Sequence, residues 1–265
     1  MNLTYIIIGV GGFIAGAIAM YVFLIYLWPN RHKTYNWIYK FRNHKKLGEP
    51  CKTDLVLNRD GYCLGYSFNH KCAAWVSYTI SKGSIGVDVE RDDCFYDDLD
   101  IPEKHRVQPN DFKNTGYDKG HLAPSASIDF SRKSNAQTFA MSNIALQHPR
   151  LNRQAWGSLE NTIRNWTDNR GKLMIVAGPI YARRPKTINN IPIPKAFYKI
   201  IYSFKYKRCI GFIFPNEAIR ASKLWDHVMS VDNVEKETGQ KFLTELNDKK
   251  IKGELDVAWW KASKI

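Results

Sequence analysis

Four consecutive residues in the middle of the chain, Asp118, Lys119, Gly120 and His121, combine a carboxylate, a cation, a flexible backbone position and an imidazole. An imidazole is the side chain best suited to move a proton near neutral pH. Gly120 can adopt backbone angles closed to other residues, so we expect the histidine after it at the end of a strand. The same residues also suit a structural hydrogen-bonded pair, and the segments downstream decide between the two interpretations.

A second group of polar residues follows at helical spacing. The apolar residues of this segment recur every three or four positions: Trp156, Leu159, Ile163 and Trp166. That period predicts a helix that starts near Asn152 and buries one face. Asn152 and Glu160 are two turns apart on one side, where both can address one metal ion or its waters. An asparagine at a helix start also suits a simple cap, and Glu160 also suits a solvated surface position.

The composition is that of a folded protein with a strong positive charge. The 265 residues are 44% hydrophobic and 13% aromatic, which excludes a disordered chain and allows one large domain or two small ones. Lys and Arg number 39 against 25 Asp and Glu, so the formal net charge is +14. Such an excess attracts polyanions, and both nucleic acid and an anionic membrane surface fit it.

The N-terminal stretch from Tyr5 to Trp28 contains no charged residue and is long enough to cross a bilayer. We therefore predict a transmembrane anchor at residues 1–30, which makes the chain a single-pass membrane protein. A cleaved signal peptide is the competing interpretation. It calls for a charged start and a shorter apolar run than this stretch has.

Residues 31–52 form a predicted basic linker between this anchor and a folded body. Basic residues follow the span and none precedes it, which favours a body on the cytoplasmic side. The cysteines point the other way, since Cys63 and Cys72 could face each other across a hairpin and a bridge there indicates an oxidising compartment. The side of the membrane that carries the body therefore stays open.

From residue 53 the pattern changes to strand-like alternation. Three segments are rich in β-branched and aromatic residues and predict antiparallel strands: 55–57, 62–66 and 73–80. Residues 91–117 lose this periodicity and predict a long loop that leads to His121.

Together these motifs resemble the DNA/RNA non-specific endonucleases, the ββα-metal nuclease family that includes mitochondrial endonuclease G. The family's Asp-Arg-Gly-His motif is met at residues 118–121 and its Ser-Asn-Ile segment at 142–144. Its Asn-Arg-x-x-Trp motif, followed by a Glu, is met at residues 152–160. Further matches in the same order extend the resemblance over about 53–247: 172–181, 193–199, 211–216 and 234–242.

The resemblance implies an α+β fold, in which a central antiparallel sheet is flanked by helices. The nuclease domain would span residues 53–265 and follow the N-terminal transmembrane helix. The tail around Trp259 and Trp260 suits a packed C-terminal strand better than an exposed aromatic patch.

The resemblance also implies an enzyme that hydrolyses phosphodiester bonds of DNA and RNA with little sequence specificity. His121 would act as general base, and Asn152 would bind Mg²⁺, for which Mn²⁺ can substitute. Glu160 would hold metal-bound waters, and Arg91 would steady the reacting phosphate. The products would carry a 5′-phosphate and a 3′-hydroxyl.

Lys119 and Arg153 complete the implied site as substrate-binding residues. Lys119 replaces the arginine of the family motif, so a planar two-pronged phosphate contact becomes a point charge. The resemblance further implies a homodimer. Two other hypotheses remain: a membrane-tethered nucleic-acid-binding protein that has kept the fold without the chemistry, and a membrane-surface protein whose charge serves anionic lipid.

Overall fold

The computed structural model describes residues 20–21, 43–85 and 94–262. The chain divides into two units, Met1–Phe41 and Arg42–Ile265. Of the first unit only Met20 and Tyr21 are described, both in helical conformation. Everything that follows belongs to the second unit.

The strands described in the second unit are, in chain order, β1 (Leu55–Asn58), β2 (Cys63–Ser67), β3 (Cys72–Ile80), β4 (Asp118–His121), β5 (Ile144–Gln147), β6 (Leu173–Ile180), β7 (Thr187–Ile188), β8 (Ile191–Pro192), β9 (Ala196–Ser203), β10 (Arg208–Pro215) and β11 (Val228–Met229). Seven of them form one sheet in the order β1-β2-β3-β6-β9-β10-β11, and all neighbours are antiparallel. Strands β4 and β5 form a separate antiparallel pair, called the β4–β5 hairpin below, although residues 122–143 connect them. Strands β7 and β8 form a second, short hairpin.

The α-helices described are α1 (Arg132–Gln137), α2 (Gly157–Arg170), α3 (Val231–Thr238) and α4 (Val257–Lys261). A π-helical turn, Leu151–Trp156, leads directly into α2. Short 3₁₀ turns occupy Asn43–Lys45, Lys82–Ser84, Glu103–His105, Pro109–Phe112, Ser125–Ser127, Met141–Asn143, Ala221–His227 and Lys250–Lys252.

Both faces of the central sheet are covered, because its middle strands β6 and β9 are buried throughout. Alternate residues of a strand point to opposite faces. In β9, Phe197 and Ile201 pack on the face that α2 covers with Leu159 and Ile163. Tyr198 and its alternate neighbours pack on the other face, together with residues of α3. The sheet is thus the middle layer between two apolar cores.

The hairpin β4–β5, the π turn and α2 follow one another as a strand–strand–helix unit. In the hairpin, His121 pairs with Ile144 at one end and Asp118 pairs with Gln147 at the other. Helix α2 buries Leu159, Ile163 and Trp166 against the sheet, as the apolar spacing predicts. The prediction of a mixed fold with a central antiparallel sheet is confirmed.

The three strands predicted near the start of the domain are present as β1, β2 and β3. The loop predicted before His121 is held by buried polar contacts where it is described. Arg59 donates to Asp98 at 2.6 Å and to Asp100 at 2.7 Å, and Asp98 in turn accepts a hydrogen bond from Ser142. These contacts tie the loop to the segment that enters β5.

The C-terminal tail packs as predicted, but as the helix α4 and not as a strand. Trp260 is 1% exposed and its ring lies 4.6 Å from that of Trp166. The buried guanidinium of Arg170 donates to the carbonyls of Trp259 and Ala262, at 2.6 Å and 2.7 Å, and so caps the end of α4.

The prediction of a single-pass membrane protein is corrected by the structure. Among the residues that it describes, no helix has both the length and the apolar character needed to cross a bilayer. The segment for which the anchor was predicted, residues 1–30, lies outside the described residues except for Met20 and Tyr21.

Two further differences concern the start of the domain. Cys63 and Cys72 are free thiols at opposite ends of the β2–β3 hairpin, since Cys63 pairs with Ser77 and Cys72 pairs with Ser67. The disulfide considered for them is therefore not formed. Within the segment predicted as a linker, Leu47 is 6% exposed and packs in the core on the α3 side of the sheet.

Candidate active site

The strand–strand–helix unit borders a cavity of about 300 Å³. Three of the residues singled out in the sequence, His121, Asn152 and Glu160, line this cavity together. The other lining residues are Phe95, Lys119, Pro124, Ser125, Ala126, Gly157, Asn161 and Arg164. An imidazole, an amide and a carboxylate therefore meet at one place, although they come from three different elements.

Gly120, in the middle of β4, lies so close to the side chain of Gln147 that there is no room for a Cβ atom. A Cβ atom at this position would come within 2.3 Å of Oε1 and 2.6 Å of Cβ of Gln147 on β5. Atoms do not approach so closely, so a larger residue would push the hairpin apart. The sequence suggested unusual backbone angles at Gly120, but its φ is not positive. The glycine allows the two strands to meet, and His121 is presented at the end of the resulting hairpin.

Asp118, at the start of β4, holds two consecutive residues of the π turn. Its Oδ2 accepts a hydrogen bond from Nδ2 of Asn152 at 2.9 Å. Arg153 donates Nε to Oδ2 at 2.8 Å and a terminal nitrogen to Oδ1 at 2.7 Å. Burial alone would raise the pKa of Asp118, but the hydrogen bonds from Arg153 and Asn152 outweigh it and hold the pKa below its usual value.

The contact with Asp118 sets the orientation of the Asn152 amide. An ionised carboxylate only accepts hydrogen bonds, so the nitrogen of the amide must face Asp118. The oxygen of Asn152 then points away from Asp118, and no hydrogen bond to it is made by residues 43–85 or 94–262. A hard cation is the partner for which such an oxygen is best suited.

The π turn that carries Asn152 is wider than a regular helical turn. The N–H of Gly157 donates to the carbonyl of Asn152, which lies five residues earlier. Single π turns within helices are frequent at functional sites. The sequence predicted an unbroken four-residue spacing from Asn152 to Glu160, but the wider turn still leaves both residues on the same cavity.

The His121 ring is fixed by packing against aromatic neighbours. It lies edge-on to Phe139, with 5.0 Å between ring centroids, and tilted towards Phe95 at 5.5 Å. The indole N–H of Trp156 donates to the carbonyl of His121 at 3.4 Å. His121 as a whole residue is partly buried and lines the cavity, which places its imidazole beside a molecule bound there. Nε2 of the ring is itself buried.

Glu160 is held by a lysine from the central sheet. Nζ of Lys199 donates to Oε1 of Glu160 at 2.9 Å and lies 4.0 Å from the ring centroid of Trp156. The side chain of Lys199 is 0% exposed and that of Glu160 is 14% exposed. Burial lowers the pKa of Lys199, and the negative charge of Glu160 opposes this effect.

Two cationic side chains, Lys119 and Arg164, line the site. Nζ of Lys119 lies 5.0 Å above the ring of Phe95, and both residues also line a second cavity of about 360 Å³ that shares Asn152. Arg164, one helical turn after Glu160, lines the first cavity. This positive charge is the kind that attracts phosphate groups.

Of the predicted site residues that the structure describes, Arg153 is not part of the cavity lining. Arg91 lies outside the described residues, so its contact with the phosphate stays a prediction. The side chain of Arg153 is 71% exposed, and its guanidinium is occupied by Asp118. Its binding to substrate likewise stays a prediction.

The structure also adds residues that the sequence reasoning missed. Arg164 follows Glu160 at the helical spacing of four, so extending the same periodicity by one turn would have found it. Lys199 interrupts the apolar run of β9, which is the signal of a buried lysine with a specific partner. Phe95 had no comparable signal, because it comes from an irregular loop.

The strand–strand–helix unit, with a histidine ending its first strand and an asparagine in its first helical turn, defines a ββα nuclease, a hydrolase that cuts nucleic acids. The model of the DNA/RNA non-specific endonuclease family matches residues 42–249. The chain belongs to this family, and the activity that follows is that of a DNA/RNA endonuclease.

Similar proteins come from fungi, bacteria and animals. A nuclease of Syncephalastrum racemosum is 32% identical over 232 residues, which cover 78% of this chain and 72% of that protein. Mitochondrial endonuclease G of Homo sapiens is 27% identical over 215 residues, covering 75% and 72% respectively. A chain in the crystal structure of the EndoG/EndoGI complex has a similar fold, with a TM-score of 0.71, 24% identity, and coverage of 79% of this chain and 92% of that one.

Proposed function

We propose that the protein hydrolyses the phosphodiester bonds of DNA and RNA in the cavity between β4 and α2, with the help of one Mg²⁺ ion. The observation that carries the proposal is the orientation of Asn152. Its amide nitrogen is held by Asp118, so its oxygen is available at a cavity that His121 and Glu160 also line.

The donor set fits a magnesium ion that keeps most of its waters. Within residues 43–85 and 94–262, no group of three or more His, Cys, Asp or Glu is arranged to hold a metal. Asn152 would supply the direct protein oxygen, and Glu160 would accept hydrogen bonds from metal-bound waters. When bound, the ion supplies positive charge that stabilises the crowded phosphate and the leaving 3′ oxygen. Mn²⁺, which prefers the same ligands, would substitute.

His121 would be the general base. Its ring is fixed by Phe95 and Phe139, and the residue lines the cavity. It would take a proton from the water whose oxygen forms a new bond to phosphorus. The P–O bond to the 3′ oxygen would break in the same displacement, and the leaving oxygen would take a proton from solvent water. The products would carry a 5′-phosphate and a 3′-hydroxyl.

Substrate contact would be made mainly with phosphate groups. Lys119 lines the cavity, and Arg91 would steady the negative charge that develops on the phosphate. Arg153 would contact the strand while it keeps its ion pair with Asp118. Phosphate contacts carry no sequence information, so we expect little sequence specificity. The homodimer implied by the resemblance stays a prediction.

The test is cleavage of a supercoiled plasmid and of an RNA, in Mg²⁺ and in EDTA. We expect the wild-type protein to cut both substrates in Mg²⁺ only, and His121→Ala and Asn152→Ala to lose most of the activity while they still bind DNA. Folded wild-type protein that binds DNA without cutting it would refute the proposal and favour a nucleic-acid-binding protein without the chemistry.

A further inference from the structure

Lys199 is a charged residue in the middle of the apolar core. It occupies the centre of β9, where it pairs with Ala177 on β6 and with Phe212 on β10. It lies on the same face of the strand as Phe197 and Ile201, which pack beneath α2. An ammonium group in such a place must be removed from water, so the position is costly unless the charge is paired.

The ammonium group of Lys199 contacts two residues at the active site. Its ammonium group donates to Oε1 of Glu160 at 2.9 Å. It also lies 4.0 Å from the ring centroid of Trp156, and the indole nitrogen of that residue donates to the carbonyl of His121. One buried cation thus touches the carboxylate at the cavity and the aromatic side chain that supports the histidine.

Stability alone does not account for this pair. An ion pair buried in a protein is often no more stabilising than well-packed apolar residues of similar volume. A methionine at position 199 would fill the same space between Phe197 and Ile201 without any charge to desolvate. What the lysine adds is a fixed direction for one oxygen of Glu160.

We propose that Lys199 is a positioning residue. From the central sheet it binds Oε1 of Glu160 and thereby presents Oε2 to the waters of the metal ion. The inference rests on the proposed function, in which Glu160 holds those waters. Arg164, one helical turn after Glu160, donates its hydrogen bonds to Ser127 and Asn161. Among the described residues, the hydrogen bond to the Glu160 carboxylate is the one from Lys199.

Removal of Lys199 should change the affinity for the metal ion in two opposite ways, and this makes the proposal testable. Loss of a nearby positive charge would by itself strengthen the binding of a metal cation. Loss of the anchor frees the Glu160 carboxylate to rotate away from the waters, which weakens binding. The positioning role predicts that the second effect prevails and the metal binds more weakly. A purely structural role leaves only the loss of charge, so it predicts unchanged or tighter metal binding.

The experiment measures Mn²⁺ binding by water-proton relaxation, without substrate, for the wild-type protein and Lys199→Met. We expect the Mn²⁺ dissociation constant to rise about ten- to a hundred-fold, as for other residues that orient the groups around a metal. The rate of plasmid cleavage at fixed Mn²⁺ should fall by a similar factor. Lys199→Arg, which keeps a charged donor, should recover part of the affinity.

Lys252→Met is the matched control. Lys252 forms a second buried pair, with Glu235 at 2.7 Å and exposures of 10% and 7%, on the α3 side of the sheet. Its loss should lower the melting temperature but leave Mn²⁺ affinity unchanged. Unchanged or tighter Mn²⁺ binding in folded Lys199→Met would overturn the inference about Lys199.

Glu160→Gln separates this inference from the proposed function. If Glu160→Gln weakens Mn²⁺ binding and Lys199→Met does not, only the inference fails; if neither does, the proposed metal role of Glu160 fails as well. Should Lys199→Met not fold, the double variant with Glu160→Gln removes the whole pair. Its Mn²⁺ affinity should be no weaker than that of Glu160→Gln alone, because Lys199 acts on the metal through Glu160 and its own charge opposes metal binding. A further loss in the double variant would contradict the proposal.

Discussion

Replacing Asp118 by asparagine should disable the site without touching either the base or the metal ligand. Asp118 accepts the hydrogen bond that orients the Asn152 amide. An asparagine at position 118 is uncharged and can also donate a hydrogen bond, so the amide nitrogen of Asn152 no longer has to face it. The oxygen of Asn152 is then no longer directed away from residue 118. We expect the Mg²⁺ concentration needed for half-maximal cleavage to rise and the maximal rate to fall.

The size of the effect follows from the contacts of Asp118. A hydrogen bond to a charged group contributes about 1.5–3 kcal/mol, and each 1.4 kcal/mol corresponds to roughly a factor of ten. If the whole of the Asn152 bond serves to orient the metal ligand, cleavage falls by about ten- to a hundred-fold. The pair with Arg153 adds little to stability, because that arginine is 71% exposed and water screens the interaction.

The assay is the initial rate of plasmid nicking over a range of Mg²⁺ concentrations, with DNA binding measured separately in EDTA. Asp256→Asn is the matched control. Asp256 also accepts hydrogen bonds from an arginine, Arg208 at 2.7 Å, and from one further N–H, that of Trp259 at 2.9 Å, but it lies at the start of α4. Asp118→Asn with a rate and Mg²⁺ dependence within about threefold of wild type would refute the reasoning.

Three further predictions follow from the structure. Glu235→Gln leaves the buried Lys252 without its carboxylate and should lower the unfolding free energy by about 3–5 kcal/mol at neutral pH. Burial raises the pKa of Glu235, but the hydrogen bonds from Lys252 and the Phe242 N–H outweigh this effect and lower the pKa below 4.5. In acid denaturation, the difference in unfolding free energy between Glu235→Gln and the wild-type protein should therefore shrink as pH falls below that value. Gly120→Ala should cost about 1–3 kcal/mol in urea unfolding and slow cleavage, because its Cβ would clash with Gln147; an unchanged midpoint would contradict the close packing. With the net charge of +14, DNA affinity measured in EDTA should fall linearly on a log–log scale as salt rises, and a flat response would exclude phosphate contacts as the main attraction.

The elements of the site could be predicted because their signals are local in the sequence. The apolar spacing of Trp156, Leu159 and Ile163 predicts the face that α2 buries, and the alternation in residues 73–80 predicts β3. The position of Glu160 relative to Asn152 follows from helical geometry, even though a π turn modifies it. Such patterns need no knowledge of the rest of the chain.

The supporting contacts could not be predicted, since they join residues that are distant in the sequence. Asp118 meets Asn152 across 34 positions and Lys199 meets Glu160 across 39. Nothing in the local pattern says which carboxylate will orient which amide. The role of Gly120 was misjudged for the same reason, because the atoms it makes room for belong to Gln147 on the neighbouring strand.

The prediction of a membrane protein shows a different limit. Hydropathy reports what a stretch of residues could do, and the stretch at 5–28 is apolar enough for a bilayer. Among the residues that the structure describes, no helix has the length and apolar character of a membrane span.

Chemical rescue of His121→Ala tests the central claim most directly, because it asks whether the cavity lacks only a base. We predict that imidazole restores cleavage to His121→Ala at least tenfold, in proportion to the neutral form of imidazole and only with Mg²⁺ present. The same imidazole should not restore cleavage to Asn152→Ala, where the base is intact. Absence of rescue in a folded, DNA-binding His121→Ala protein, or full activity of that variant without imidazole, would contradict the account.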